Sequence, residues 1–271
     1  MNKTICMIGG DERNSILAEL LKKEYIVKVY SEKEDLRELL KNSDCVVGGI
    51  PFSRDNETIN MSGSLEKVGI ENLFTNMKDV KKLIAGSFSD RIKSLAVRYD
   101  IELYDFLGDE DFAVYNAIPT AEGAIAIAIE KTKRTINGSN CVVLGYGRIG
   151  KCLADLLKGL HANVTVVARK DEDFAWIKAM GCMSKTYSDL QEILPSVDIL
   201  FNTVPALVIQ QELNYMKKDS LIIDLASKPG GVDFNLAKEK GIEAELALGL
   251  PGKVAPISVA EYMFNKVKKV I

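Results

Sequence analysis

The sequence predicts an α/β protein built from two doubly wound, parallel-sheet (Rossmann-like) domains that a long helix joins. Short apolar segments alternate with amphipathic helical segments twice along the chain, first over about 110 residues and again from about residue 138. This alternation is typical of parallel βαβ units, because each parallel strand needs a crossover connection before the next one. Between the two runs lies one long apolar segment, which we interpret as the linking helix.

The first run predicts an N-terminal domain over residues 1–117. Its strands are expected at residues 4–8, 26–30, 44–50, 82–86 and 101–106. The linking helix is expected over residues 118–137, with Thr120 as its N-cap, because a threonine side chain can accept from the free backbone N–H groups of a first turn.

The second run predicts a domain over residues 138–255. Its strands are expected at residues 141–145, 163–168, 198–203, 220–225 and 242–247, and its helices at 148–159, 172–180, 207–216 and 233–240. Residues 256–271 predict a last helix that packs back on the N-terminal domain. Ligands of such sheets bind outside the carboxyl ends of the strands, so we expect the site in a cleft between the two domains.

A glycine-rich turn follows the first strand of the second domain. Its spacing is G-x-G-x-x-G, and it leads from an apolar strand into an amphipathic helix. The first glycine permits a tight turn, the second lets the backbone approach a pyrophosphate, and the third lets the helix pack against the strand. The helix N-terminus also attracts phosphate. The expected cofactor contacts are Gly145, Tyr146, Gly147, Arg148, Ile149 and Gly150.

The end of the next strand predicts which dinucleotide binds. Arg169 and Lys170 stand where an NAD-binding unit usually has an acidic residue that accepts from the ribose 2′-OH. Two cations would instead neutralise a 2′-phosphate. We therefore expect NADP(H) as the cofactor and consider NAD(H) the less favoured alternative.

Composition limits the remaining function classes. The net charge of −3 argues against a nucleic-acid partner, which usually requires a basic excess. No apolar run approaches the roughly 20 residues that a membrane span needs, and we expect a cytoplasmic protein that does not insert into a membrane. The single histidine, His161, follows a helix at the amino-terminal edge of the sheet, so we expect it to take no part in catalysis. The sequence contains no cluster with zinc-ligand spacing, so no metal is expected.

Polar residues at other strand ends complete the expected site. Further cofactor contacts are expected at Thr203, Pro205, Asp224 and Ser227. In the N-terminal domain, a substrate anion is expected to contact Gly9, Gly10, Arg13, Ser53 and Arg54, together with Thr120. Arg13 and Arg54 could also be solvated surface charges, and Asp224 could be a helix cap.

Several longer segments resemble the family formed by the A subunits of dipicolinate synthase. They are residues 9–13 (GGDER), 116–123 (NAIPTAEG), 143–150 (VLGYGRIG), 202–205 (NTVP), 224–234 (DLASKPGGVDF) and 249–256 (GLPGKVAP). The resemblance covers essentially the whole chain. It implies an enzyme of the mother cell of sporulating bacteria that oxidises a dihydrodipicolinate, derived from the lysine pathway, with NADP⁺. It also implies a partner, the B subunit of the synthase, and hence a hetero-oligomer, although a homo-oligomer stays open.

The residues fit this implied chemistry. A pyridine dicarboxylate needs donors for two carboxylates, and forming an aromatic ring needs orientation against the nicotinamide more than a strong base. If the 4-hydroxy tetrahydro precursor is the substrate, loss of water would need a general acid, and Glu122 and Lys253 are the candidate catalytic residues. Two alternatives stay open: a non-catalytic NADP-binding protein that docks the B subunit, and another two-domain dehydrogenase related to alanine dehydrogenase.

Overall fold

The computed structural model describes residues 3–64 and 66–271, and the chain folds into two compact units. One unit comprises Met1–Tyr115 and Ala255–Ile271, and the other comprises Asn116–Val254. Each unit contains one parallel sheet with helices on its faces, so the expected fold of two doubly wound α/β domains is confirmed.

The N-terminal unit contains a five-stranded parallel sheet. Its strands are β1 (Thr4–Met7), β2 (Ile26–Val29), β3 (Cys45–Val47), β4 (Lys82–Ala85) and β5 (Glu102–Asp105), in the order β2-β1-β3-β4-β5. Its helices are α1 (Glu12–Leu21), α2 (Leu36–Leu40), α3 (Ile70–Asn76), α4 (Asp90–Arg98) and the C-terminal α11 (Pro256–Val270). The strand order changes direction between β1 and β3, which is where open α/β sheets bind ligands.

The C-terminal helix α11 packs against α1 on one face of this sheet. Val259, Met263 and Val267 are completely buried and share a core with Ile5 and Leu17. The spacing of the buried positions along α11 places them on one helix face. The side chains of α11 therefore belong to the same hydrophobic core as those of the first strand, β1.

The second unit contains a six-stranded parallel sheet. Its strands are β6 (Asn140–Leu144), β7 (Asn163–Val167), β8 (Met183–Lys185), β9 (Ile199–Asn202), β10 (Leu221–Asp224) and β11 (Glu243–Leu246), in the order β11-β10-β9-β6-β7-β8. Its helices are α6 (Arg148–Gly159), α7 (Asp171–Ala179), α8 (Leu190–Ile193), α9 (Phe234–Lys240) and α10 (Leu250–Val254). The central strands are buried along their whole length, as expected for a sheet that is covered on both faces. The direction of the strand order changes between β6 and β9.

The linking helix, α5 (Glu110–Lys131), begins earlier and ends earlier than the expected range of 118–137. Pro119 suggests a helix start, but it lies inside the helix. Thr120 is therefore not an N-cap: its hydroxyl donates to the Asn116 carbonyl oxygen one turn earlier, at 2.9 Å. The helix continues through the proline because Phe112, Ala117 and Ala124 are buried on both sides of it.

The same helix has the length and apolar composition of a membrane span. Its most apolar window has a mean hydropathy of 1.4, and half of that window is buried inside the protein. Core helices of globular proteins meet the same criteria, so this observation is weak evidence for a membrane.

Several elements of the second unit differ from the sequence prediction, which lacks the short helices α8 and α10. Strand β8 is not predicted, because Met183, Ser184 and Lys185 form a short segment with no apolar alternation. The helix expected over 207–216 is only a short 3₁₀ turn, Gln211–Tyr215. The segment before it instead forms a β-bridge between Ile209 and Val232, which holds it beside the loop that follows β10.

Candidate functional site

The glycine turn between β6 and α6 has the geometry of a phosphate site. Gly145 has a φ of +90°, and a Cβ there would lie 2.6 Å from the Thr203 hydroxyl oxygen. A Cβ on Gly150 would lie 2.2 Å from the Gly145 carbonyl oxygen, so the helix packs directly against the turn. A Cβ on Gly147 would meet no described atom within 4 Å. The space outside Gly147 is therefore open, as approach of a pyrophosphate to the backbone requires.

The start of α6 offers backbone donors to an anion. Gly147 is its N-cap and makes no side-chain capping hydrogen bond, and the first turn contains no acidic residue. The N–H groups of this turn and the positive end of the helix dipole are therefore available to a negatively charged group. Ile149 packs against the core of this unit, and Arg148 is exposed beside the turn. These residues fit a dinucleotide pyrophosphate.

Tyr146 contributes to this turn through its backbone and not through its side chain. The ring is buried, and the hydroxyl donates to the Met180 sulfur at 2.7 Å. Burial also raises the pKa of this hydroxyl. The tyrosine side chain therefore packs toward the end of α7, away from the open side of Gly147.

Thr203 joins the two strands at the point where the strand order reverses. Its backbone N–H and its hydroxyl both donate to the Leu144 carbonyl oxygen, at 3.0 and 2.8 Å. The loop after β9 is therefore fixed to the end of β6, directly beside the glycine turn. Pro205 follows in this loop and is exposed.

Asp224, an expected cofactor contact, is instead a buried group that holds a loop. Its side chain is completely buried and accepts from the Asn202 side-chain amide at 2.8 Å. It also accepts from the backbone N–H groups of Ala226 (3.0 Å) and Gly231 (2.7 Å). The carboxylate is therefore not available to a ribose. It shapes residues 225–231, in which Ser227 is exposed at the carboxyl edge of the sheet.

The two cations after β7 differ in their surroundings. Lys170 forms an exposed ion pair with Glu172 at 3.3 Å, so part of its charge is already neutralised. Arg169 is exposed and makes no ion pair with any residue in the part of the chain that the structure describes. Arg169 is therefore the cation that remains for a ligand phosphate, and residues 168–170 hold no carboxylate that could accept from a ribose.

In the N-terminal unit, the ends of β1 and β3 meet backbone to backbone. A Cβ on Gly49 would lie 2.5 Å from the Gly10 Cα, and Gly10 has a φ of +93°. The Gly10 N–H donates to the Asn60 carbonyl oxygen at 2.7 Å, and a Cβ on Gly9 would lie 2.7 Å from that same oxygen. The glycines therefore permit close packing of three loops at this edge of the sheet, and the Gly10 N–H is not free for an anion.

Arg13, an expected substrate contact, is buried and already paired. Its guanidinium donates twice to the Asp11 carboxylate, at 2.8 and 2.7 Å, and once to the Ile50 carbonyl oxygen. Only 3% of the residue is exposed. Burial raises the pKa of the Asp11 carboxyl, but the Arg13 guanidinium outweighs it and holds the pKa below its usual range. This pair stabilises the start of α1.

Arg54 presents its charge to solvent at this edge of the sheet. Its Nε donates to the Asn60 side-chain oxygen at 3.1 Å, which fixes the side chain but leaves the outer guanidinium nitrogens without a partner among residues 3–64 and 66–271. Ser53 lies deeper, and its hydroxyl accepts from the Asn56 N–H at 2.9 Å. Arg54 is therefore the better placed of the two to contact a carboxylate.

The two candidate catalytic residues lie in different surroundings of the second unit. Glu122 lines a surface pocket of about 750 Å³ together with Asp155, Lys158 and Leu160, which belong to or follow the second half of α6. It therefore lies beside the second half of that helix and not beside the glycine turn at its start, and its catalytic role stays a prediction. Lys253 is exposed on α10, a short helix that replaces the expected loop and follows the carboxyl end of β11.

His161 lies in the turn between α6 and β7, with a φ of +60°. This is the amino-terminal edge of the sheet, as expected. In the described ranges, no group of three or more acidic, histidine or cysteine side chains could hold a metal ion.

Comparison with known proteins agrees with this geometry. Residues 4–107 match the family model of the N-terminal domain of the dipicolinate synthase A subunit, and residues 119–230 match that of the NAD-binding domain of D-isomer specific 2-hydroxyacid dehydrogenases. The A subunit of dipicolinate synthase from Bacillus subtilis (strain 168) is 33% identical over 98% of this chain and 95% of its own length.

Solved structures of this type of protein show the same fold. The A subunit of the Bacillus halodurans synthase has a TM-score of 0.88 at 30% identity and covers 99% of this chain and 97% of its own. Its Bacillus subtilis counterpart gives the same TM-score and identity, covering 100% and 96%. The fold and the glycine turn thus define a nicotinamide-dependent oxidoreductase of the dehydrogenase class. Within that class, the chain belongs to the family of dipicolinate synthase A subunits.

Proposed function

We propose that this chain is the NADP-dependent component of a dipicolinate synthase and oxidises a dihydrodipicolinate to dipicolinate. The observation that carries the proposal is the 33% identity to an A subunit of this enzyme over 98% of the chain. The open glycine turn supports it, because it fits the pyrophosphate of the hydride acceptor. The proposed setting is the cytoplasm of the mother cell in a sporulating bacterium, where the substrate derives from the lysine pathway.

The proposed reaction removes two electrons and two hydrogens from the substrate ring. NADP⁺, when bound, would supply the hydride acceptor for a hydrogen on one ring carbon, and the ring would lose its other hydrogen as a proton to water or a nearby base. The product is an aromatic pyridine dicarboxylate. Because aromaticity favours this step, the protein mainly needs to orient the ring and hold its two carboxylates.

Two exposed cations support the binding of a dicarboxylate. Arg54 follows β3 in the N-terminal unit, and Lys253 follows β11 in the second unit. Both belong to the carboxyl edges of their sheets, where ligands of this fold bind. We propose that Arg54 contacts a substrate carboxylate. We also propose that Lys253 is the proton donor if the 4-hydroxy precursor loses water.

The cofactor is proposed to be NADP(H), with Arg169 contacting the 2′-phosphate. Replacing Arg169 by Asp should weaken NADP⁺ binding at least tenfold more than NAD⁺ binding, because the phosphate contact becomes repulsive. Lys178→Asp is a matched control, since Lys178 is a cation in the last turn of the helix that follows, α7. Equal losses for both dinucleotides would show that Arg169 does not contact the 2′-phosphate.

The activity itself can be tested with the purified chain, NADP⁺ and a dihydrodipicolinate. The expected result is growth of the NADPH absorbance band together with dipicolinate formation. A signal that develops only after the B subunit is added would instead favour the alternative of a non-catalytic NADP-binding protein. Turnover of other substrates, such as an amino acid, with none of dihydrodipicolinate would favour another two-domain dehydrogenase.

A further inference from the structure

Arg169 and Tyr187 leave the sheet at corresponding positions of two neighbouring strands. In the parallel pair β7 and β8, Val167 lies opposite Lys185, and the Ala168 N–H donates to the Lys185 carbonyl oxygen at 3.1 Å. Arg169 and Tyr187 each follow two residues after this aligned pair. Both residues therefore follow the carboxyl ends of neighbouring strands, and the Arg169 charge acts on the Tyr187 hydroxyl.

A capped turn fixes the backbone of Tyr187. The carboxylate of Asp189 accepts from the Thr186 N–H at 2.7 Å and from the Thr186 hydroxyl at 2.9 Å, which closes a capping box around the 3₁₀ turn Tyr187–Asp189. These bonds also keep the Asp189 charge within its own turn. The tyrosine is thus held in place by its neighbours before any ligand binds.

The Tyr187 hydroxyl makes no hydrogen bond to the residues that the structure describes, so it can donate one to a ligand. The half-buried ring lines a pocket whose other residues are apolar on one side (Leu190, Leu207 and Val208) and polar on the other (Gln210, Gln211 and Glu212). Burial raises the pKa of this hydroxyl above its ordinary value, while the nearby Arg169 guanidinium acts in the opposite direction. The group therefore stays protonated at neutral pH.

The charges around Arg169 leave a role for a second, neutral donor. Asp171, Glu172 and Asp173 form the first turn of α7, directly after the two cations. Their charges lower the positive potential near Arg169, and Lys170 is paired with Glu172. A phosphate at this position would bind more tightly if a neutral hydroxyl also donated a hydrogen bond to it, because a hydrogen bond to an ionised acceptor is strong.

We propose that the Tyr187 hydroxyl donates a hydrogen bond to the 2′-phosphate of NADP(H) beside Arg169, so that both residues together distinguish NADP from NAD. The inference rests on the proposed NADP site and adds a second residue to it. A ribose 2′-OH carries no charge and would gain less from the same donor.

The test measures binding to the purified full chain without turnover. The ligands are NADP⁺, NAD⁺ and the fragments adenosine 2′,5′-bisphosphate and 5′-AMP, titrated by calorimetry against wild type, Tyr187→Phe and Arg169→Ala. Tyr215→Phe is the matched control, because it removes a hydroxyl from an exposed tyrosine of the same unit. Melting temperatures establish that each variant is folded.

The expected result is that Tyr187→Phe weakens NADP⁺ and adenosine 2′,5′-bisphosphate about tenfold, the loss typical of one hydrogen bond to a charged group. NAD⁺ and 5′-AMP should change less than about twofold, and Tyr215→Phe should change nothing. Equal losses for both ligand pairs, or none, would overturn the inference. If Arg169→Ala weakens the 2′-phosphate ligands and Tyr187→Phe does not, the NADP site stands and only the role of Tyr187 is wrong. If neither variant discriminates, the NADP proposal fails as well.

Discussion

The side-chain amide of Asn202 donates to the carboxylate of Asp224 across 2.8 Å, and both side chains are completely buried. These residues end the neighbouring strands β9 and β10, so the bond connects the two loops that follow. Asn202 also donates to the Val204 carbonyl oxygen and accepts from the Val204 N–H. The shape of this edge of the second sheet therefore depends on two groups that no ligand can reach.

Replacing Asp224 by Asn should destabilise the protein by about 2–3 kcal/mol, because an amide NH₂ would face a buried backbone or side-chain donor. Cofactor affinity should also fall, since the loop over residues 225–231 would lose its anchor. Urea unfolding measures the first effect and calorimetry the second. Asp219→Asn, at an exposed position, serves as the control and should leave both nearly unchanged. A variant with wild-type stability would contradict the structural role given to Asp224.

Substitutions at two glycines of the turn after β6 should affect stability and cofactor binding differently. Gly150→Ala should cost about 3 kcal/mol of stability, because its Cβ would lie 2.2 Å from a backbone oxygen. Gly147→Ala should cost less than about 1 kcal/mol, because its Cβ meets no described atom. The second variant should nevertheless bind the dinucleotide at least tenfold more weakly. Unchanged affinity would mean that the pyrophosphate lies elsewhere.

Replacing the two arginines of the N-terminal unit should change different quantities, stability for Arg13 and substrate affinity for Arg54. Arg13→Met should reduce stability by about 3 kcal/mol, because it leaves the Asp11 carboxylate without its buried partner. Arg54→Ala should keep the melting temperature and raise the KM for the dicarboxylate about tenfold. Thermal unfolding and steady-state kinetics distinguish the two. Arg91→Ala, which removes an exposed arginine from the same unit, is the control and should change neither quantity.

Lys253 and Glu122 should differ in their effect on turnover. Lys253→Ala should lower kcat/KM at least tenfold if the lysine contacts a carboxylate or supplies a proton, since either contact is charge-assisted. Glu122→Ala should leave turnover unchanged, because this side chain lies beside the second half of α6. A large loss in the glutamate variant together with a neutral lysine variant would reverse the two assignments.

The buried cation of the C-terminal helix gives a pH-dependent prediction. Lys266 donates to Asp109 at 2.9 Å and to Asp111 at 2.5 Å, and Tyr104 donates to the same Asp109 oxygen. The Tyr104 and Lys266 hydrogen bonds lower the pKa of Asp109, and Lys266 lowers that of Asp111. Burial opposes the charged form of Lys266, but the two aspartates outweigh it and raise its pKa.

The pH dependence of stability follows from these directions. Asp109 and Asp111 have a lowered pKa in the folded protein, so their charged forms stabilise the fold at a pH above the pKa of an unfolded aspartate, about 3.9. This stabilisation is lost as the pH falls through their lower pKa values in the folded protein. The charged Lys266 stabilises the folded protein at a pH below the pKa of an unfolded lysine, about 10.4. This stabilisation is lost as the pH rises through the higher pKa of Lys266 in the folded protein. Lys266→Met should therefore unfold at lower urea than wild type at pH 7. The difference should shrink in strong acid, and a constant difference down to acid would contradict the ion cluster.

Much of the fold could be predicted from sequence because it depends on local patterns. A short stretch of sequence is enough to recognise the apolar strands, including the one at residues 163–168, and the G-x-G-x-x-G turn. Pro119 points to a later start of α5, since a proline usually marks a first turn, and here burial of the flanking residues decides instead. Strand β8 could not be predicted because three mostly polar residues join the sheet only through their neighbour β7.

The site was harder to predict because sequence position fixes a residue's sheet edge but not its side-chain direction. Arg13 and Arg54 both follow strand ends, yet one is buried against Asp11 and the other is exposed. Asp224 stands at a strand end, but its three donors come from residues 202, 226 and 231. Such long-range partners leave no periodic signal, whereas the exposure of Arg169 agrees with its position just beyond a strand end.

The contact between Gly10 and Gly49 also limits how this protein could change its ligand over evolutionary time. Because a Cβ on Gly49 would overlap the Gly10 backbone, no single substitution can introduce a side chain there without moving a loop. If the proposed substrate contact of Arg54 is correct, a change of ligand would arise from side chains that border this point, such as Arg54 and Asn60. Both glycine positions are therefore expected to stay glycine, whereas substitutions are expected at the residues around them.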